Sequence, residues 1–249
     1  MDYSVFHFLK WIRAEKVGVY KLSAPEGIRS TYIKKLCKIN VLNLTDPKLA
    51  EFIGIILGDG HVDKNEIEIT LEHPAELEYA KYIQNLAYSL FGYKTKIRPK
   101  HPNAIRIRIY SRKIVREIQN LGLPSGDKIK NRADIPDFIK QDKNLLKYCV
   151  RGLVDTDGGF FFKQRGYHRL IIEFKSLSPQ IINSFADAVK ALGFTPSKSG
   201  GKGACVRIQN QEEVANYIQT IRTSNNKIIK KISKLGFSNL LAISAPIGI

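Results

Sequence analysis

The sequence predicts a mixed α/β (α+β) fold of two pseudo-symmetric αββαββα repeats, each carrying one antiparallel sheet. Three observations lead there. Two helical stretches end alike in Asp-Gly: Phe52-Ile53-Gly54-Ile55-Ile56-Leu57-Gly58-Asp59-Gly60 and Val150-Arg151-Gly152-Leu153-Val154-Asp155-Thr156-Asp157-Gly158, with Asp59 and Asp157 98 residues apart. Downstream, Ile105, Ile107 and Ile109 alternate with Arg106, Arg108 and Tyr110, and an offset of 99 lands on Ala204, Val206 and Ile208, alternating with Cys205, Arg207 and Gln209. Lys128 moved by the same offset is Lys227. An offset held over so much chain marks a duplicated unit.

The elements of each repeat follow in order. Asp46-Pro47 is a cap followed by a first-turn proline, and Asp142 caps the second motif helix. The next strands alternate Ile67, Ile69 and Leu71 against Glu66, Glu68, Thr70 and Glu72, and Leu170, Ile172 and Phe174 against Arg169, Ile171, Glu173 and Lys175. Helices near 75–91 and 179–192 close on Gly92 and Gly193. A second strand pair follows, then helices opened by Ser111 and Asn210. Antiparallel strands with one apolar face need helices on that face and leave the other open. On that open face we place Arg98, Lys100, Arg106, Arg108, Tyr110, Lys163, Arg165, Arg169, Glu173, Lys175, Lys198, Arg207 and Gln209.

Composition narrows the class. Forty Lys and Arg against 23 Asp and Glu leave a net charge of +17, a field that attracts polyanions, nucleic acid foremost. Cys37, Cys149 and Cys205 fit neither a zinc spacing nor a disulfide framework, so they read as buried thiols in a reducing compartment. The N-terminus lacks a signal-peptide pattern, and no apolar run approaches the ~20 residues of a membrane helix. The expected location is intracellular: cytoplasm or nucleoid, or an organelle matrix in a eukaryotic cell.

The two motifs carry the chemistry. Gly54 and Gly58, then Gly152 and Thr156, put small residues four apart on one helix face, where two backbones can approach closely. Glycine inside a helix costs roughly 1 kcal/mol against alanine, and close packing of the two motif helices offsets it. That packing sets Asp59 beside Asp157 at two helix C-termini, where the dipoles and the neighbouring carboxylate oppose negative charge. A divalent cation reverses both penalties, and Mg²⁺ prefers such oxygen ligands. Nothing in the sequence marks a covalent nucleophile: His61, His73, His101 and His168 have no ligand spacing, and no serine or cysteine has a base beside it.

The paired nonapeptides resemble the signature of the LAGLIDADG homing endonucleases, in the single-chain form with two motifs. The resemblance covers roughly residues 46–235. It implies a saddle whose two antiparallel sheets bind DNA in successive major grooves. Asp59 and Asp157 fill the family's metal-binding position, with Gly58 and Thr156 beside them as further metal contacts. Lys128 and Lys227 match lysines near the scissile phosphate, and Lys175 matches another family position near the site, with Glu72 taken as its first-half counterpart. The implied activity is metal-dependent phosphodiester hydrolysis, a double-strand break with short 3′ overhangs in a long, non-palindromic target. The homing would be of an intron or intein, with Mg²⁺ as cofactor and Mn²⁺ or Ca²⁺ able to substitute for binding. The expected partner is double-stranded DNA, bound by a monomer with no membrane. RNA maturase activity on its own intron RNA, or an inactive DNA-binding regulator on the same fold, are the alternatives. The expected organisation is a helical extension at 1–45, repeats at 46–141 and 142–236, and a packing tail at 237–249.

Overall fold

A computed structural model describes residues 42–163, 169–200 and 204–237 of the chain. The expectations for residues 1–41, for Arg165, for the side chain of Lys163 and for the tail beyond residue 237 lie outside the described residues.

The first repeat runs α1 (Pro47–Leu57), β1 (Gly60–Val62), β2 (Glu66–Glu72), α2 (Leu77–Phe91), β3 (Ile97–His101), β4 (Ala104–Tyr110) and α3 (Arg112–Asn120). A single turn, α4 (Asp137–Lys140), precedes the second repeat. That repeat runs α5 (Lys143–Asp157), β5 (Gly158–Lys163), β6 (Arg169–Lys175), α6 (Pro179–Ala191), β7 (Ser197–Ser199), β8 (Cys205–Ile208) and α7 (Gln211–Thr220). It closes with α8 (Asn226–Lys234), a helix the repeat pattern does not foresee. No described helix is long and apolar enough to cross a membrane.

Local chemistry sets these boundaries. The Asp46 carboxylate accepts from the Lys48 N–H at 2.9 Å, and Asp142 accepts from Asn144 at 2.7 Å, so each motif helix has a capped start. Ser111, Ser178 and Asn210 cap α3, α6 and α7 in the same way. Gly92 ends α2 in a left-handed conformation, φ 62°, which a residue with a Cβ adopts only at a cost.

The fold is α+β, with two four-stranded antiparallel sheets ordered β1-β2-β4-β3 and β5-β6-β8-β7. In β2 and β4 every second residue is buried: Ile67, Ile69 and Leu71 lie beside Ile109, Ile107 and Ile105 and pack towards the helices. Their alternation leaves Glu66, Glu68, Thr70, Arg106, Arg108 and Tyr110 on the open face. In β6 the pattern is less regular, because Ile171 and Glu173 are buried along with the core-facing Leu170, Ile172 and Phe174. Cys149 and Cys205 are free and buried.

The motif helices α1 and α5 pack against each other at the centre of the core. A methyl group added at Gly54 would collide with the carbonyl of Cys149 on the facing helix, and one at Gly152 would collide with the carbonyl of Glu51. Gly58 faces the side chain of Thr156. Glycine is therefore required by the helix–helix approach and not by backbone conformation. Helix propensity alone would make Gly152→Ala stabilising by up to about 1 kcal/mol. The collision reverses the sign, and we expect a net loss of about 1–3 kcal/mol or more on urea unfolding. A stabilised variant would mean that the two backbones do not meet at this point.

Candidate active site

The helix pair ends in the two acids. Asp59 lies just beyond α1 and Asp157 ends α5, both partly buried. Burial raises the Asp59 carboxyl to about 7, helped by the negative charges of Asp157 and Glu76, while Lys128 and Lys227 pull the other way. Burial also raises Asp157, with Lys128 opposing. Two carboxylates are thus held near each other at helix ends with too little compensating charge.

Lys128 is the cation nearest that deficit. Its ammonium donates to the Leu57 carbonyl at 2.9 Å and to the Gly58 carbonyl. Burial lowers its pKa, against the pull of Asp157 and Asp59. An open cavity of about 740 Å³ adjoins it, lined by Leu57, His61, Asp157, Lys175 and Ser178 among others. The structure thus gathers Asp157, Lys128 and Lys175 at one cavity, although 29 residues or more separate Lys128 from the other two in sequence.

Lys227 lies on the Asp59 side. Asn225 caps α8 by accepting from the Lys227 N–H at 3.0 Å, which fixes where the lysine starts. Its ammonium donates to Glu72 at 2.6 Å and lies 3.7 Å from Glu76. Each repeat's late lysine therefore sits beside the strand-to-helix turn of the other repeat: Lys227 beside Glu72–Glu76, and Lys128 beside Lys175–Ser178.

Sheet register corrects one expectation here. Glu68 lies opposite Arg108 and Glu173 opposite Arg207, so Glu68 and Glu173 hold the same place in the two sheets. Thr70, opposite Arg106, then corresponds to Lys175, opposite Cys205; Glu72 does not. The connection from β5 to β6 is longer than that from β1 to β2, which shifts the offset within the second strand.

Sequence reasoning passed over a buried polar network behind the acids. Glu51 accepts from Arg151 at 2.5 Å and from the Ser224 hydroxyl at 2.7 Å. Asp155 accepts from the Thr223 hydroxyl at 2.5 Å and the Ser224 N–H at 2.7 Å, and burial still raises its carboxyl to about 7. The Asn225 side-chain amide donates to the Asp155 carbonyl and to Glu76, each at 2.9 Å. The network ties the loop before α8, and so Lys227, to both motif helices. A signal was present: Glu51, Arg151 and Asp155 are charges set among apolar residues of the two motif helices, where burial requires partners.

On the open sheet faces the expected basic residues are braced by acids. Glu68 holds Lys100 at 2.7 Å and also Arg108, with Arg106 at 3.8 Å, and Arg108 donates to the Tyr110 hydroxyl at 2.5 Å. Glu173 holds Lys175 at 2.8 Å and also Arg207. Arg98, opposite Arg106, and Arg169, two residues before the open-face Ile171, lie on the same faces. Gln209 donates to Ser197 at 2.8 Å. Lys198 departs from expectation: it lies opposite the core-facing Val206 and donates to Asn183 of α6 at 3.0 Å. It therefore stands on the helix side of the sheet, because β7 pairs at Lys198↔Val206 and so turns this residue inward.

The donor set fits a hard divalent cation. Among the described residues no cluster of three or more His, Cys, Asp or Glu side chains is arranged to hold a metal. What is present is two carboxylates short of positive charge and a carbonyl, Gly58, that already accepts from an ammonium. Few protein oxygens, with the rest of the shell left to water and phosphate, suit Mg²⁺. The Thr156 hydroxyl donates into its own helix, to Gly152 at 2.8 Å and Leu153 at 3.1 Å, and faces Gly58 of the partner helix.

A pH dependence follows from Asp59. Its carboxyl is raised in the folded chain, so its contribution to stability is full below the unfolded value near 3.8 and is lost as pH rises through about 7. Metal-free Asp59→Asn should therefore be progressively more stable than the parent between about pH 5 and pH 8, by a few kcal/mol at the upper end. Chemical unfolding at each pH measures it, and added Mg²⁺ should narrow the gap at about pH 8 by stabilising the parent. A gap that stays constant with pH would refute the burial of this charge.

The fold defines a structural class: the chain has the fold of the single-chain, two-motif LAGLIDADG homing endonucleases. Mesophilic variants of the homing endonuclease I-DmoI superpose with a TM-score of 0.51 at 16% identity, covering 74% of this chain and 99% of that one. A lysine-to-alanine mutant of the meganuclease I-SmaMI gives 0.51 at 13% identity, covering 80% and 96%. Full-length DUF199/WhiA from Thermatoga maritima gives 0.52 at 13% identity, covering 84% and 65%. No protein-family model matches the chain. Among curated proteins, the chain is 31% identical over 155 residues to the replication factor C small subunit of Methanocaldococcus jannaschii, covering 61% of this chain and 8% of that protein. It is 24% identical over 161 residues to the tRNA-splicing ligase RtcB of Methanopyrus kandleri, covering 57% and 15%. It is 24% identical over 156 residues to a component of the A-type ATP synthase of Pyrococcus abyssi, covering 63% and 14%. The chain thus spans less than a fifth of the curated relatives it matches.

Proposed function

We propose that the protein is a site-specific DNA endonuclease that makes a double-strand break by metal-dependent phosphodiester hydrolysis. The observation that carries this reading is the helix pair: two glycine-packed helices bring Asp59 and Asp157 to one charge-deficient centre with a lysine on each side. Asp59 and Asp157 would hold Mg²⁺, with the Gly58 carbonyl adjacent, and Mn²⁺ or Ca²⁺ would substitute for binding. Such an ion supplies charge neutralisation and Lewis-acid polarisation of a phosphate oxygen. The two carboxylates set the place of that ion at the helix ends, and without it they repel phosphate. Lys128, largely buried and donating to the neutral Leu57 and Gly58 carbonyls, would offset charge that develops on the phosphate beside Asp157. Lys175 adds positive charge at the same cavity, and Lys227 stands at the Asp59 side.

The open sheet faces would lie on duplex DNA. Arginines held by Glu68 and Glu173 have little rotamer freedom left to lose, which favours base reading over loose phosphate contact. Arg106 and Cys205 hold matching places in the two sheets, so the two half-sites would differ and the target would not be a palindrome. A homing role is supported by the curated relatives. Relatives named as a ligase, a replication factor subunit and an ATP synthase subunit each match this chain over only 15%, 8% and 14% of their own length, as expected of an element inserted in unrelated hosts. Incubating the protein with randomised duplexes and Mg²⁺, then sequencing the cut ends, should return one long asymmetric site with 3′ overhangs. Retention of such a site without cutting would favour a DNA-binding regulator.

A further inference from the structure

The two strand-to-helix turns beside the acids differ in what they offer the lysine that faces them: the first presents carboxylates, whereas in the second Lys175 is itself held by Glu173. In the first repeat the turn holds Glu72 and, at the cap position of α2, Glu76. In the second it holds Lys175 and, at the cap position of α6, Ser178. The lysines that face these turns are consequently in different states. Lys227 is drawn between two carboxylates, Glu72 at 2.6 Å and Glu76 at 3.7 Å. Among the described residues Lys128 hydrogen-bonds only to the neutral carbonyls of Leu57 and Gly58, with the charges of Asp157 and Asp59 close enough to act on it.

We propose that the two centres are unequal: the strand served by Asp157 and Lys128 is cut first, and Glu72 slows the other by holding the Lys227 ammonium. This rests on the endonuclease reading above. An ammonium already paired to a carboxylate does little for a phosphate that is gaining negative charge, and the carboxylate itself repels that phosphate. Glu76 is buried and braces Asn225, so it is part of the framework. Glu72 is more than half exposed, and among the described residues its carboxylate bonds only to Lys227. Glu72 is thus a positioning residue that acts through Lys227, and it can be changed without disturbing the core.

The test uses a duplex recovered by cleavage from a randomised library, with a different fluorophore on each strand. The full chain in Mg²⁺ should cut one strand about tenfold or more faster than the other and build up nicked duplex. Glu72→Gln should speed the slow strand about three- to tenfold, narrowing the ratio, and should lose that effect in a Lys227→Ala background. Acylation of lysines in the metal-free protein, read by mass spectrometry, should show Lys227 more reactive in the Glu72→Gln variant. Equal strand rates in the parent, a ratio unmoved by Glu72→Gln, or the same acceleration without Lys227 would each overturn the proposal. A parent chain that cuts nothing from the library in Mg²⁺ or Mn²⁺ removes the endonuclease reading, and this inference with it.

Discussion

Asp59→Asn and Asp157→Asn are each expected to end double-strand cleavage while leaving specific DNA binding in place. The two carboxylates are the charged oxygens at the junction of the motif helices, and replacing either removes half of the anionic donor set. On the proposed function each acid would be a direct metal ligand, and losing even an outer-shell partner of a metal costs roughly 10–100-fold. Binding responds differently. A carboxylate facing phosphates opposes association, and a neutral amide of the same shape does not, so affinity should hold or rise in Ca²⁺. Plasmid assays separate the outcomes: uncut or nicked circles are expected from either variant and linear product is not. Linear product at the parental rate from either one would sink the two-aspartate mechanism.

Arg151→Ala is expected to cost the fold about 3–5 kcal/mol, because it strands a buried carboxylate. Glu51 is 1% exposed, and its partners are the Arg151 guanidinium at 2.5 Å and the Ser224 hydroxyl at 2.7 Å. The guanidinium also lies over the Tyr148 ring, 4.3 Å from its centre, so its removal takes away packing as well as charge. In a domain of this size each kcal/mol moves Tm by about 2–4 °C, so a drop of roughly 10 °C is expected. Replacing both partners, as in Glu51→Leu with Arg151→Met, should recover most of the loss, since no charge is then left buried alone. If the double variant were as unstable as Arg151→Ala, the pair's value would lie in shape and not in charge. The Ser224 bond links this pair to the loop before α8, so Arg151→Ala should also loosen Lys227.

What the sequence by itself determined were features that depend on neighbours along the chain. Caps at Asp46, Ser111, Asp142 and Asn210 are satisfied within three residues, and the period of two in β2 and β4 needs only a core on one side. Two glycines spaced four apart in the first motif, and a glycine and a threonine in the second, already implied that α1 and α5 pack face to face, because nothing else offsets the cost of glycine there. Only the tertiary structure decided which repeat serves which acid. Lys227 reaches Glu72 across 155 residues, and Lys128 reaches Leu57 across 71, contacts made by folding distant parts of the chain together. Register was decided there too. A longer link between β5 and β6 moves the partner of Lys175 to Thr70, and the pairing of β7 turns Lys198 towards Asn183. A repeat offset read from sequence assumes equal loops, whereas cross-strand hydrogen bonding fixes register one residue at a time, and a shift of one residue sends a side chain to the opposite face.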